Sequence, residues 1–248
     1  MNLVEEEVGQ ISILRTQISN PRLCIIETHG AIEGNKVDVA EYSHDLIEFC
    51  KKNEIIYIAY NPSNNGTQPD QPLEEVKFTK RVQDLVSVIS YSENTYKCPI
   101  ILIGSSLGAL ISINAASEKI SNVTGLIINC GVVRPEETLK ILAGDTFNTW
   151  QEKDSAKVLN VNLPYAFFED IISLHTEEKL RNLNIPILWF HGTKDDLALT
   201  DTVRYATKNS DKISLIEVEN GGHRFGEFMQ PGEWENKVET FIKDLMSS

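Results

Sequence analysis

Residues 100–111 read Ile-Ile-Leu-Ile-Gly-Ser-Ser-Leu-Gly-Ala-Leu-Ile. An apolar run of strand length passes directly into a short turn of glycine and serine, and the small and apolar residues after the turn suit a helix. The five residues from Gly104 to Gly108 match the pattern G-x-S-x-G, whose central serine lies at a sharp turn between a strand and a helix. The stretch therefore predicts a strand–turn–helix unit that exposes Ser106.

The two glycines have a steric reason, and the serine has an electrostatic one. So sharp a turn leaves no room for side chains two residues before and after Ser106. The helix that starts after Ser106 directs free N–H groups and the positive end of its dipole at any negative charge that develops there. The turn has neither the lysine of a P-loop nor the glycine spacing of a dinucleotide site. Ser106 is therefore the candidate nucleophile.

Outward from this unit, short apolar runs alternate with longer amphipathic stretches, which is typical of a parallel β-sheet covered by helices. Strands are predicted at Leu23–Glu27, Ile55–Tyr60, Ile100–Ile103, Val123–Asn129, Ile187–Phe190 and Ile213–Val218, with Ile11–Ile18 as an antiparallel edge strand before them. Helices are predicted at Val37–Cys50, Leu73–Ser90, Leu107–Glu118, Thr200–Asn209 and Glu233–Met246.

One stretch interrupts this alternation. The chain between Asn129 and Ile187 is far longer than a usual crossover. We predict that 132–182 forms a small helical cap insertion within a single domain that spans 1–248. Its aromatic residues Phe147, Trp150 and Phe168 are the candidate substrate contacts. The alternative is an additional pair of helices with no role in ligand binding.

A serine is a weak nucleophile unless a base takes its proton and an acid orients the base. Asp195 and Asp196 come just after the predicted strand Ile187–Phe190, and His223 follows Ile213–Val218 on a glycine-rich loop. Functional groups of open parallel sheets gather at the carboxyl ends of the strands. The chain therefore predicts a catalytic Ser-Asp-His set in that order, with His223 as the base.

The oxyanion of a tetrahedral intermediate needs backbone N–H donors. The amide of Leu107, directly after the nucleophile, is one candidate. The second should come from the loop after Leu23–Glu27, where Ala31 is the first choice and Gly30 the next.

These motifs resemble those of the α/β-hydrolase superfamily along nearly the whole chain. The matching segments are His29-Gly30, Gly104-Ser105-Ser106-Leu107-Gly108, His191-Gly192-Thr193-Lys194-Asp195 and Gly222-His223. The resemblance implies an α/β fold with a mostly parallel sheet of about eight strands flanked by helices, and an insertion after the sixth strand that 132–182 matches. It also favours Asp195 over Asp196 as the acid of the triad.

Within the superfamily, the chain resembles small esterases and acyl-thioester hydrolases. We therefore expect a serine carboxylesterase or thioesterase that forms an acyl-enzyme and needs no cofactor or metal. Its partner would be a small-molecule ester or thioester of an apolar acyl or aryl group. The alternatives are an acyltransferase or thioesterase acting on acyl-carrier or CoA thioesters, a peptidase for short peptides, and a non-catalytic binding protein with the same fold.

Composition excludes several other classes. The 36 acidic and 23 basic residues of the 248 give a net charge of −13, which disfavours nucleic-acid binding because that needs clustered cations. No apolar run reaches the roughly 18–20 residues of a membrane span, and the acidic start is unlike a signal peptide. The four scattered cysteines are expected to be reduced, so we expect a cytoplasmic protein. The oligomeric state is left open.

Overall fold

A computed structural model describes residues 3–30, 35–63, 77–118, 122–158, 161–208 and 210–247. Its strands are β1 (Leu3–Val8), β2 (Ile11–Thr16), β3 (Leu23–Thr28), β4 (Ile55–Asn61), β5 (Ile100–Ser105), β6 (Val123–Asn129), β7 (Ser155–Val158), β8 (Val161–Pro164), β9 (Ile187–Gly192) and β10 (Ile213–Val218). Eight of them form one sheet in the order β1-β2-β4-β3-β5-β6-β9-β10, and β7 and β8 form a separate two-stranded sheet. The α/β fold with a mostly parallel eight-stranded sheet is confirmed.

The amino-terminal edge of the sheet differs from the prediction. From β4 through β10 the strands of the main sheet pair in parallel, whereas β2 is antiparallel to both β4 and β1. The placement of residues 11–18 at the edge is wrong, because β1 covers β2 from outside. The sequence pattern does not predict β1, because it carries Glu5, Glu6 and Glu7 in succession. Charged residues of this kind are typical of a strand at a sheet edge.

The helices are α1 (Lys36–Tyr42), α2 (His44–Lys52), α3 (Phe78–Tyr96), α4 (Leu107–Ala116), α5 (Pro135–Ala143), α6 (Trp150–Lys153), α7 (Tyr165–Ile172), α8 (Thr176–Asn182), α9 (Thr200–Thr207) and α10 (Glu233–Ser247). None of these helices is both long enough and apolar enough to cross a bilayer. The predicted helix over 73–90 begins instead at Phe78 and runs to Tyr96; residues 73–76 lie outside the described part of the chain.

The two faces of the sheet bury two separate cores, as the alternation of side chains along a strand requires. On β5, Ile100 and Leu102 face the core covered by α3 and α4, whereas Ile101 and Ile103 face the core that holds buried residues of α2 and α10. The nucleophile turn at the end of β5 is therefore held between two packed layers.

The single helix predicted over 37–50 is in fact two helices, α1 and α2, which meet at Ser43. At this junction Ser43 contacts a distant strand. The hydroxyl of Ser43 donates to the buried carboxylate of Glu27 over 2.7 Å, and the hydroxyl of Tyr57 donates to the same oxygen over 2.6 Å. A contact between residues so far apart in sequence leaves no signal in the periodicity of the helix.

The predicted insertion lies between β6 and β9, after the sixth strand of the main sheet. It contains the helices α5 to α8, which were expected, and the small sheet β7–β8, which was not. Each strand of that sheet has four residues, which is too short to show a two-residue period. Trp150 packs against Phe147, Tyr165 and Phe168, and its indole N–H donates to the carbonyl of Leu163 over 2.9 Å.

Asp170 of α7 attaches the insertion to the main domain. Its carboxylate accepts the backbone N–H of Phe78 at 2.5 Å and of Thr79 at 3.2 Å, and the hydroxyl of Thr79 at 2.5 Å. Phe78 also packs edge-on against Phe167, with ring centroids 5.6 Å apart. Asp170 thus caps α3 from a distant part of the chain, where the preceding residue Lys77 makes no side-chain cap.

We expect Asp170→Ala to lower the free energy of unfolding by about 1–3 kcal/mol, because partly buried donors at the start of α3 lose their acceptor. Urea denaturation measures this loss. Glu169→Ala is the matched control, since Glu169 is the exposed neighbour of Asp170 on the same helix. Equal stability of the two variants would contradict the assigned role of Asp170.

Candidate active site

Ser106 lies between the end of β5 and the start of α4 in a strained conformation, with φ 53° and ψ −118°. Such a backbone costs a non-glycine residue about 1–3 kcal/mol. A Cβ at Gly104 would come 2.6 Å from the carbonyl oxygen of Gly108, and one at Gly108 would come 2.4 Å from that of Thr28. The steric argument for both glycines is confirmed.

We expect Gly108→Ala to destabilise the protein by about 1–3 kcal/mol or more, because the methyl group meets backbone atoms of Thr28 and His29 that cannot move independently. Chemical denaturation measures the effect. Gly226→Ala is the control, since a Cβ at Gly226 has no atom within 4 Å. If Gly108→Ala is as stable as Gly226→Ala, the turn is less tightly packed than described.

The turn brings Ser106 into line with the two residues predicted to act with it. The hydroxyl oxygen of Ser106 lies 2.8 Å from Nε2 of His223. On the other side of the ring, Nδ1 of His223 lies 2.9 Å from Oδ2 and 3.1 Å from Oδ1 of Asp195. The three residues follow β5, β9 and β10, whose carboxyl ends meet at one edge of the sheet.

Asp195 is held in its ionised form. Burial of the carboxylate is the largest single influence and raises its pKa, but the hydrogen bond from His223, the charge of that ring and the hydrogen bonds from two backbone N–H groups together outweigh it. The backbone N–H groups of Leu197 and Ala198 add to this by donating to Oδ1, each over 2.9 Å. The net pKa of Asp195 is below its ordinary value. Asp196, the other carboxylate considered, is exposed.

This arrangement defines the direction of the proton transfer. Because a carboxylate only accepts hydrogen bonds, Nδ1 of His223 must carry the proton that faces Asp195. In the neutral ring, Nε2 is then left as an acceptor for the hydroxyl proton of Ser106. The geometry can therefore turn the Ser106 hydroxyl into a nucleophile.

The predicted oxyanion donors are only partly described. Leu107 is the first residue of α4, where backbone N–H groups have no acceptor within the helix. Ala31 lies outside the described residues, so its role stays a prediction. Gly30, the second choice, packs against the turn: a Cβ there would come 2.8 Å from Cβ of Ser106. The loop after β3 therefore reaches the nucleophile.

Three possible metal ligands, Cys130, His191 and Asp195, lie within 4.8 Å of one another in the interior. Their spacing along the chain gave no sign of this. Both carboxylate oxygens of Asp195 already accept hydrogen bonds, and Nε2 of His191 donates to the carbonyl of Ala198 over 2.7 Å. Burial lowers the pKa of His191, which keeps its ring neutral. The cluster therefore supports the loop of Asp195, and we assign no metal to it.

The three predicted substrate contacts make no hydrogen bond to the triad among the described residues. Trp150 and Phe168 are only 1% and 7% exposed and pack with Phe147 inside the insertion. Their role as substrate contacts stays a prediction. The backbone donors of Leu197 and Ala198 could not be predicted from the sequence, because every residue except proline has a backbone N–H group.

The chain is similar to several known proteins. A family model described as "Serine aminopeptidase, S33" matches residues 19–166. The chain is 28% identical over 133 residues to a monoglyceride lipase of Rattus norvegicus, a match that covers 52% of this chain and 42% of the lipase. It is 24% identical over 203 residues to the mitochondrial palmitoyl-protein thioesterase ABHD10 of the same species. This match covers 79% of this chain and 65% of the thioesterase. The matches thus span less than two thirds of these relatives.

Solved structures share the fold over almost the entire chain. Mouse α/β hydrolase domain-containing protein 10 is similar with a TM-score of 0.74 and 21% identity, over 99% of this chain and 100% of that one. Est1E from Butyrivibrio proteoclasticus with bound ferulic acid has a TM-score of 0.76 and 17% identity, again over 99% and 100%.

Proposed function

Since the chain belongs to the α/β-hydrolase family described as serine aminopeptidase, S33, we propose that it is a serine hydrolase that cleaves the carboxylic ester or thioester bond of an apolar acyl or aryl group. One observation carries the proposal. The hydroxyl of Ser106 lies in hydrogen-bond contact with His223, whose far nitrogen contacts the buried carboxylate of Asp195. A nucleophile, a base and an orienting acid are thus assembled in one line.

In the proposed reaction, Ser106 Oγ attacks the carbonyl carbon as its proton passes to Nε2 of His223. The amide of Leu107, with Ala31 or Gly30, donates to the oxyanion. His223 then gives the proton to the departing alcohol or thiol, which leaves Ser106 acylated. Water, deprotonated by His223, attacks the acyl carbon; the bond to Ser106 Oγ then breaks, His223 returns the proton to that oxygen, and the carboxylic acid is released. Asp195 stabilises the charged imidazole in both halves of the reaction.

The relatives support the bond type. A monoglyceride lipase acts on an ester, and a palmitoyl-protein thioesterase acts on a thioester, as their names state. The same triad serves both bonds, because both pass through a tetrahedral oxyanion. A small-molecule substrate and a cytoplasmic location belong to the same proposal.

The test uses an ester and a thioester of the same octanoyl group, p-nitrophenyl octanoate and octanoyl-CoA, and an amino-acid anilide, leucine p-nitroanilide. Each is incubated with wild type and with Ser106→Ala. We expect wild type to hydrolyse the ester or the thioester, and the variant to hydrolyse neither. Turnover of the anilide alone would instead support an aminopeptidase. Acceleration by an added alcohol, with an acylated alcohol as product, would show an acyltransferase. Wild type that turns over none of them would contradict the proposal.

A further inference from the structure

Asn129, the last residue of β6, contacts the nucleophile turn at two points. Its backbone carbonyl accepts the N–H of Ser106 over 2.9 Å. Its side-chain Nδ2 donates to the hydroxyl oxygen of Ser105 over 3.3 Å. Asn129 thus holds the backbone of the nucleophile and the side chain of its neighbour together.

A third contact orients the side chain of Asn129. The indole N–H of Trp234 donates to Oδ1 of Asn129 over 2.9 Å. Because an indole N–H is only a donor, the amide oxygen must face Trp234, and the NH₂ group is then directed at Ser105. The three side chains form one chain of hydrogen bonds, from Trp234 through Asn129 to Ser105.

The same chain of contacts connects the parts of the fold that carry the triad. Trp234 lies at the start of α10, downstream of His223, and its ring lies 6.1 Å from that of Phe190 on β9, the strand that precedes Asp195. Asn129 pairs with Ser105 on one side and with Phe190 on the other. A displacement of Trp234 would therefore change the position of Asn129 and of the turn at Ser106.

The strain at Ser106 explains why such support is needed. Ser106 has φ 53°, and a strained backbone of this kind persists only where several surrounding contacts hold it in place. We propose that Asn129, oriented by Trp234, is a positioning residue that fixes the strained turn so that Ser106 stays aligned with His223. The inference rests on the proposed function, because alignment matters only if Ser106 is the nucleophile.

The experiment measures the second-order rate of phosphonylation by a fluorophosphonate, which reports the reactivity of Ser106 without a chosen substrate. Trp234→Phe removes the first hydrogen bond but keeps an aromatic ring, and Ser105→Ala removes the second. We expect each variant to react about tenfold more slowly, the value of one hydrogen bond in positioning. Because both changes break the same chain, the double variant should also lose about tenfold rather than a hundredfold.

The matched control is Trp189→Phe. The indole N–H of Trp189 is buried and has no hydrogen-bond partner among the described residues, so this variant loses a similar volume but no hydrogen bond. It should react at the wild-type rate per folded molecule. For any ester that wild type turns over, Trp234→Phe should lower kcat and leave KM nearly unchanged, which a merely structural role would not produce.

The outcomes separate the two proposals. A labelled wild type with unchanged rates in Trp234→Phe and Ser105→Ala, or with losses that multiply in the double variant, would overturn the positioning role alone. A wild type that is not labelled would overturn the proposed function and the positioning role with it.

Discussion

Replacing Ser106 with alanine should lower ester or thioester turnover by about 10⁴-fold or more. The reason is that no other hydroxyl is in hydrogen-bond contact with His223 among the described residues. The neighbouring variant Ser105→Ala keeps the nucleophile and should lose only about tenfold. Steady-state kinetics on the substrate that wild type turns over best compares the two.

The comparison between adjacent serines makes this prediction specific. Both substitutions remove one hydroxyl from the same turn, so a general effect on folding would affect both alike. If Ser106→Ala retained a tenth or more of the activity, or if Ser105→Ala were the more severe change, the assignment of the nucleophile would be wrong.

Asp195→Asn should lower turnover by about 10³–10⁴-fold while the fold is retained. An asparagine would direct its NH₂ group at Nδ1 of His223 and thereby favour the ring form with its proton on Nε2. That form cannot accept the proton of Ser106. Asp196→Asn is the matched control, because Asp196 is exposed and adjacent, and its activity should stay close to that of wild type. Equal losses in both variants would contradict the assignment of the acid.

The stability difference between wild type and Asp195→Asn should also change with pH in a defined direction. The folded state holds the pKa of Asp195 below its ordinary value, so the ionised carboxylate stabilises the fold at pH values above about 4, the ordinary pKa of aspartate. This contribution disappears as the pH falls through the lowered pKa. The difference in free energy of unfolding between wild type and Asp195→Asn should therefore shrink at acid pH.

More of the candidate site than of the surrounding fold could be predicted from the sequence. Catalysis restricts which residue types can serve, and parallel strands bring their carboxyl ends together. Ser106, His223 and an acid at Asp195 or Asp196 could therefore be predicted from residue type and from their places after strands. Asp195 was preferred over Asp196 only through the resemblance to the superfamily, and the structure gives the physical reason, since Asp195 is buried and Asp196 is exposed.

What the sequence could not predict depends on contacts between distant residues. Ser43, at the junction of α1 and α2, contacts Glu27, and the start of α3 is capped by Asp170. The contact of Trp234 with Asn129 joins residues that are 105 positions apart in the sequence. None of these pairs has a local sequence pattern, because the two partners lie far apart along the chain.

The most direct test of the central claim is the intact mass of wild type and Ser106→Ala after incubation with a fluorophosphonate. We predict one adduct on wild type and none on the variant, because only an activated serine displaces the fluoride. Absence of an adduct on wild type, or an equal adduct on both proteins, would contradict the claim that Ser106 is the nucleophile of a serine hydrolase.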